Sequence, residues 1–449
     1  MPSIRDFAVW EPLLRYLRSG NADDVGGQVS GRIDLAGLEW NWPGGWRRPS
    51  GNASDAVRRV RGALADAGLP GIRYTAEFLP GDRVVLHLSG LGPAVEPGAS
   101  GGLEIVLVGD SVPAPWRRSP DLVPGAAPAP SVDLALLERT LRGWFPGAVG
   151  ATEEEVAAAE RRLGVALPDE LKVLYRVTGA PREGYQDYAE PEQFFAEGVG
   201  YYSFPYPFSL DDLYLATAST RPCPWQFAAR EAAVTPADAA VQGLAGSPGW
   251  IAFGDSDGDL LAVDLTPGPR GHTGQVIMIS RYANVGAELL ADSLTSLVTR
   301  RGTTSSPSPG GAESPVVARA STGEPGSVQA AAHPDLEVLC IDAGEGDPLS
   351  LGPVLGLPRL RTLAAAAGTL ADPLEVASLT GLEFLELGPE EWRILLDAGG
   401  VPGSLLAGAI QAPGVSVSVT AIATELLGLW GRPPVTQMAI EGHLGHPGR

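Results

Sequence analysis

Lysine is almost missing from this 449-residue chain: Lys172 is the only one, and arginine carries the rest of the positive charge. With its abundant Ala, Gly and Pro, that usage reads as coding in a GC-rich genome and not as function. The two cysteines, Cys223 and Cys340, are far apart in sequence, which excludes a disulfide framework. No run of 18 apolar residues exists; the best stretch, 406–430, is interrupted by Gln411, Pro413 and Glu425, so no membrane-spanning helix is expected. Asp6 and Glu11 fall where a secretory signal needs an apolar run, and the protein is expected to be cytoplasmic. Signatures of catalysis are also missing. Lys172 follows Leu171 and serves no Walker loop, and there is no dinucleotide fingerprint. The stretch AGSPG at 245–249 carries Ala245 and Pro248 where a nucleophile elbow needs other residues. Of the histidines, only His443 and His446 are close together, in a Gly-rich stretch that reads as a frayed tail. Cys223 sits between prolines in a loop, and Asp255–Asp259 lacks the Gly and Glu of a calcium loop, with Leu260 and Thr266 at those positions. It reads instead as a hairpin turn. No catalytic residue, cofactor or metal is expected.

What is present is acid, glycine and proline. Residues 1–118 balance 13 basic against 13 acidic side chains, 119–300 hold 12 against 24, and 301–449 hold 7 against 16. Such a field repels nucleic acid and anionic membrane, suits a basic protein partner, and also serves solubility. The 58 glycines and 41 prolines imply long loops and linkers.

Residues 1–118 read as a small α+β domain of unknown role. It has helices over 4–19 and 54–67, the second capped by Ser54, and strands at 72–79 and 83–90 about a Pro80-Gly81-Asp82 turn. A third strand falls at 103–110. Residues 119–131 read as a Pro/Ala linker. Residues 132–300 form the next unit, with a helix at 132–143, strands at 250–253, 260–265 and 275–280, and a closing helix over 286–299. Residues 301–332 are of low complexity and read as a disordered linker. In 333–435 the frames LEVLCI (336–341), LRTLAA (360–365) and LEFLEL (382–387) repeat LxxLxL, with starts 24 and 22 residues apart. That period is the leucine-rich-repeat signature in degenerate form, without the usual Asn. Val338, Cys340, Thr362, Ala364, Phe384 and Glu386 alternate with the core leucines and are expected to face outwards. Residues 436–449 read as a flexible tail.

The most patterned segment is 152–179. Thr152 and Glu155 make a capping box, and Glu153, Glu154 and Glu155 place negative charge at a helix N-terminus. Val156, Ala159 and Leu163 form one apolar stripe, and Gly164 ends the helix. Pro168 suits the first turn of a second helix, whose stripe is Leu171, Leu174 and Tyr175 and whose end is Gly179. Two such helices pack as a corner on a sheet.

In order along the chain, Glu160, Leu163 and Gly164 (E-x-x-L-G), the Leu167-Pro168 corner, WIAFGDSDGDLLAVDL (250–265), QVIMIS and ADSLTSLV (291–298) resemble the SUKH superfamily, named in part for the Smi/Knr-type regulators. The resemblance covers about 150–300. It implies an α+β domain without enzymatic activity, of a kind that in bacteria is associated with immunity proteins neutralising toxins of polymorphic toxin systems. The fold class expected for the whole is α+β: a small N-terminal α+β domain, a central SUKH-like domain and a leucine-rich-repeat-like C-terminal region.

Between the helical corner and the hairpin, 185–208 holds nine of the 30 aromatic residues of the chain, with acids interleaved. Tyrosine gives large contact area at low entropic cost and is enriched at binding hot spots; packing over the sheet is the alternative role. The expected partner-binding residues are Tyr185, Asp187, Tyr188, Glu192, Phe194, Phe195, Tyr201, Tyr202, Phe204 and Tyr206, and the expected partner is a protein, such as a basic toxin domain. Nothing in the sequence fixes an oligomeric state. Two rival readings remain: a regulatory scaffold, and an enzyme with a site in 1–118 near Glu39, Trp40, Trp42 and Trp46.

Overall fold

The computed structural model describes residues 3–19, 27–34, 38–41, 53–69, 71–92, 94–97, 104–109, 111–179, 206–221, 223–256, 258–299, 316–411 and 417–445. The elements run α1 (Phe7–Arg18), β1 (Gly27–Asp34), β2 (Leu38–Asn41), α2 (Ser54–Asp66), β3 (Gly71–Leu79), β4 (Arg83–Leu91), β5 (Val95–Pro97) and β6 (Glu104–Val108). Next come α3 (Leu134–Trp144), α4 (Glu153–Leu163), α5 (Asp169–Thr178), β7 (Tyr206–Pro207), β8 (Tyr214–Leu215) and α6 (Trp225–Ala229). They are followed by β9 (Trp250–Ser256), β10 (Asp259–Asp264), β11 (Gln275–Ile279), β12 (Glu288–Ala291) and α7 (Leu294–Thr299). The last are β13 (Val317–Ser321), α8 (Ser327–Ala331), β14 (Val338–Asp342), β15 (Thr362–Ala365), β16 (Phe384–Leu387), α9 (Pro389–Asp397), β17 (Ala407–Gln411), α10 (Val417–Leu429) and β18 (Gln437–His443). The fold is α+β, in two compact units: Met1–Pro113 with Glu313–Arg449, and Ala114–Ala312.

The first unit contains two sheets. One is antiparallel, in the order β18-β4-β3-β1-β2. Its apolar face, with Tyr74, Phe78, Leu86 and Leu88, is covered by Trp10, Leu13 and Leu17 of α1 and Val57, Val60 and Leu64 of α2. The hairpin between β3 and β4 turns at Gly81 (φ 75°) and Asp82 (φ 57°), left-handed residues that match the strand twist. The residue before α2 is Ala53, with no side-chain cap, so Ser54 lies inside the helix and not at its cap. The expected flexible tail and frayed histidine stretch are corrected here: β18 pairs with β4 from Gln437↔Ser89 to His443↔Arg83. Its alternation buries Ile440 while its polar residues face out, a pattern too short to separate from a loop without the partner strand.

The other sheet has the order β13-β14-β15-β16-β17-β6-β5, parallel from β13 to β17. The three LxxLxL frames lie side by side, with Val338, Thr362 and Phe384 in one row. Their leucines share one core: Leu336, Leu339 and Ile341, then Leu360 and Leu363, then Leu382, Leu385 and Leu387. A fourth turn, with Leu405 and Ile410, carries Gly408 at the middle position because the Trp392 ring occupies the space, 3.2 Å from where a Cβ would stand. Acids and arginines at equivalent positions tie successive turns, Arg359 to Asp335 at 2.8 Å and Arg361 to Glu337 at 3.1 Å. The chain returns through 3₁₀ turns at Gly352–Val354 and Pro373–Ser378 and through α9.

Three sequence expectations fail in this sheet. The strand expected in the N-terminal domain at 103–110 is β6, which pairs antiparallel with β17; its all-buried run, Ile105 to Val108, names no partner. Part of the expected linker 301–332 is ordered as β13 and α8, because β13 gains a parallel partner in β14. The six alternate side chains expected to face outwards are buried: Val338, Cys340, Thr362, Ala364, Phe384 and Glu386 are at most 7% exposed. Alternation assigns side chains to two faces of a sheet but does not say whether the second is covered. Within that face Gln411 donates to the Glu386 carboxylate at 2.8 Å.

The second unit is built on β12-β11-β10-β9, with β7 and β8 both pairing with β9. Helices α3, α4, α5 and α7 cover one face through Leu137, Leu141, Val156, Leu171, Leu174, Tyr175, Leu294 and Val298. The expected closing helix over 286–299 is half strand: β12 pairs with β11, and only 294–299 is helical. The residues expected as a linker at 119–131 are bound to this unit: Asp121 N–H donates to Gln242 Oε1 at 2.9 Å, and Thr273 N–H donates to Ala127 O at 3.0 Å.

Candidate functional site

The helical corner is rigid scaffold. Thr152 N–H donates to Glu155 Oε2 at 2.7 Å, Glu155 N–H to Thr152 Oγ1 at 3.3 Å, and Gly164 takes φ 73°. Pro168 stands one place earlier than expected, at the cap of α5. Glu160 accepts from Leu167 N–H at 2.8 Å and from Lys172 Nζ at 2.9 Å, so the single lysine of the chain pins the corner and holds the Glu160 carboxyl below its ordinary pKa. Two glycines permit a close crossing: a Cβ on Gly150 would collide with Arg176 O, and one on Gly179 with Val149 O. Gly150→Ala is therefore expected to cost about 2 kcal/mol or more, read as a lower midpoint in thermal unfolding.

The aromatic stretch leaves this corner at Gly179 and returns to the sheet at β7. Tyr185, Asp187, Tyr188, Glu192, Phe194, Phe195, Tyr201, Tyr202 and Phe204 lie outside the described residues, and of Tyr206 only the backbone is described. The structure fixes the far end of the stretch. Tyr206 pairs with Asp255 and Pro207 with Gly254 on β9, and β8 continues along the same edge with Tyr214↔Ala252. Tyr175 Oη donates to Phe208 O at 3.1 Å, and Arg162 donates to Leu213 O at 2.7 Å and Leu210 O at 2.5 Å. Phe208 and Tyr214 stack at 6.1 Å, and burial, with Asp255 adding to it, raises the Tyr214 hydroxyl pKa.

At the same end of the sheet, the turn between β9 and β10 is closed by Gly258 N–H donating to Asp255 Oδ1 at 3.2 Å. Arg281 N–H donates to Asp259 Oδ1 at 2.8 Å, and its guanidinium lies 4.9 Å from the Tyr282 ring, which is 79% exposed. Tyr282 escaped the sequence reading because it stands alone, outside the aromatic cluster. The Asp255–Asp259 region thus forms a hairpin, as its Gly and Asp content suggested. Among the described residues no group of three His, Cys, Asp or Glu side chains is placed to hold a metal.

Other candidates from the sequence are structural. Burial raises the pKa of Cys223, whose Sγ faces Ala283 O at 3.8 Å, which is the reverse of nucleophile activation. Arg221 is buried and donates to Ala283 O, Ala245 O and Gly286 O at 2.8–3.0 Å, stitching three loop segments. The side chains of Glu39, Trp40, Trp42 and Trp46 lie outside the described residues. No helix among the described residues is long and apolar enough to cross a membrane.

The helical corner, the β9–β10 hairpin, β11 and a short closing helix, in that order, are now placed in one unit. Residues 150–300 match the SMI1 / KNR4 family (SUKH-1). The SUKH domain so defined takes in the corner, the whole aromatic stretch and α7, and omits α3 and the segment 114–131 that pack with it. No curated protein matches the chain.

Proposed function

We propose that this chain is a non-enzymatic protein-binding protein of the cytoplasm, whose SUKH domain engages and neutralises a toxin domain of a bacterial polymorphic toxin system. The match of residues 150–300 to SUKH-1 carries the reading, because the family is known for immunity proteins and Smi/Knr regulators and is generally non-catalytic. Two further features support it. Residues 119–300 hold 24 acidic against 12 basic side chains, a field that steers a basic partner. The aromatic stretch is tethered at both ends to rigid elements, α5 and β9, which limits the entropy lost when its tyrosines engage a surface. We read 316–411 as leucine-rich-repeat-like, a support for the chain and not a second surface through its buried alternate side chains.

The same family match suits a regulatory scaffold. Inspection of the neighbouring genes, and co-expression with any toxin domain encoded there, separate the two. Immunity predicts that growth is rescued by the intact chain and lost again when the eight aromatic residues of 185–206 are changed to serine. A neighbourhood without a toxin, or rescue unaffected by those changes, counts against the immunity reading.

A further inference from the structure

The second unit contains one buried carboxylate whose role the binding reading leaves unused. Asp264 ends β10 and is completely buried. Its Oδ1 accepts from Thr266 N–H at 2.7 Å and Thr266 Oγ1 at 3.2 Å, and its Oδ2 from Gln275 Nε2 at 2.9 Å. Each partner extends the network. Gln275, itself buried, also donates to Ala240 O at 2.8 Å and accepts from His272 N–H at 3.0 Å. Thr266 Oγ1 meets Ser247 Oγ at 2.8 Å. Buried Gln242 donates to Thr266 O, Pro267 O and Asp121 O at 2.8–3.2 Å. Three irregular segments, 118–131, 233–249 and 264–275, are thus held to the sheet around one acidic group. Arg118 adds a bond to Ala233 O.

We propose that Asp264 is a pH-responsive clamp, tightest when protonated, that sets how firmly these three segments are held to the sheet. Ionisation is opposed by complete burial, which outweighs the donors of Gln275, Thr266 and Trp250 and raises the Asp264 pKa from 3.8 to about 6. No charged side chain among the described residues pairs with it. The titratable groups on the surrounding segments are Asp121, turned out toward Arg118, exposed Asp238 and Arg270, and half-buried His272, whose backbone and not its ring joins the network. From β9 the register partner is the neutral Trp250, whose side chain favours the ionised form weakly.

A folded-state pKa above the unfolded one means that the native state binds the extra proton. Stability contributed here is full below about pH 4 and is lost as the pH rises through about 6. Between pH 5 and 7.5 the opening constant of the clamp rises roughly tenfold. Glu153 and Glu160 have lowered pKa values, so their contributions vanish only below that window.

The test is hydrogen exchange on the full chain at pH 5 and 7.5, corrected for intrinsic rates, read at the amides of Thr266, Gly268, Arg270 and Gly274. The clamp predicts a roughly tenfold rise in the intact protein, no rise in Asp264→Asn, and an unchanged rise in His272→Gln. A rise abolished by His272→Gln instead overturns the assignment. Should Asp264→Asn fail to fold, carbon-13 titration of the aspartate carboxyls in the unaltered chain decides. One carboxyl with a midpoint near pH 6 supports the clamp, and all midpoints near 4 contradict it.

Discussion

Truncation after Thr436 is expected to unfold the antiparallel sheet of the first unit. β18 is remote in sequence but forms a seven-residue ladder on β4. It adds Ile440, and the following Leu444, to the core under α1. Burial of each is worth about 1.5–3 kcal/mol, and the lost ladder leaves the β4 edge open to association. Leu444 N–H also closes on Asp82 O at 2.9 Å. The sum is about 5 kcal/mol, the size of a whole domain's stability. Hydrogen exchange across β3 and β4 measures it, with loss of protection expected in both strands. Gly442→Val is a second probe, because any Cβ there strikes the Phe7 ring. Full protection in the truncated chain contradicts this assignment of β18.

Glu170→Ala is the second large effect, expected in the SUKH domain. The Glu170 carboxylate, 6% exposed, crosses from α5 to the start of α7. There it accepts from Leu294 N–H at 3.0 Å, Thr295 N–H at 2.8 Å and Thr295 Oγ1 at 2.5 Å. A carboxylate is favoured at a helix N-terminus, and three donors satisfy it away from water. Alanine leaves two backbone amides buried without an acceptor, while the Thr295 hydroxyl keeps Asp133 O at 3.3 Å, a loss of about 3 kcal/mol. Glu170→Gln keeps an acceptor and loses less. Asp169→Ala, on the solvent side of the same turn, changes stability by under about 0.5 kcal/mol. Chemical denaturation of the three variants measures the series. Equal midpoints for Glu170→Ala and Asp169→Ala contradict the cap.

The local patterns were legible. The capping box at Thr152 and Glu155, the hairpin about Gly81 and Asp82, and the LxxLxL leucines each follow from spacing that a neighbour a few residues away completes. Features that depend on distant partners were hidden. β6 reads as a buried strand, but nothing in Ile105 to Val108 names β17 across the whole SUKH domain. In β1, Gly31 stands between Val29 and Ile33 and blurs an alternation that the β3 register would otherwise have revealed. β12 shares Leu289 and Leu290 with a helical spacing, and pairing with β11 decides it. Glu170 carries no local sign of burial, since its partners lie up to 125 residues away; Asp264 finds its partners nearby at Thr266 and Gln275, but only the sheet reveals that the group is buried. Of the site, the edge that receives the aromatic stretch is visible in β7, β8 and Tyr175; Tyr282 required the fold.

We propose that the aromatic stretch of the SUKH domain holds a protein partner. A direct test is cross-linked co-purification from the native host, comparing the intact chain with one in which the eight aromatic residues of 185–206 are serine and the core residue Phe208 is kept. One protein is expected in stoichiometric amount with the intact chain and at least tenfold less with the variant, at an unchanged unfolding midpoint. Equal recovery by both chains, or no stoichiometric partner for the intact one, contradicts it.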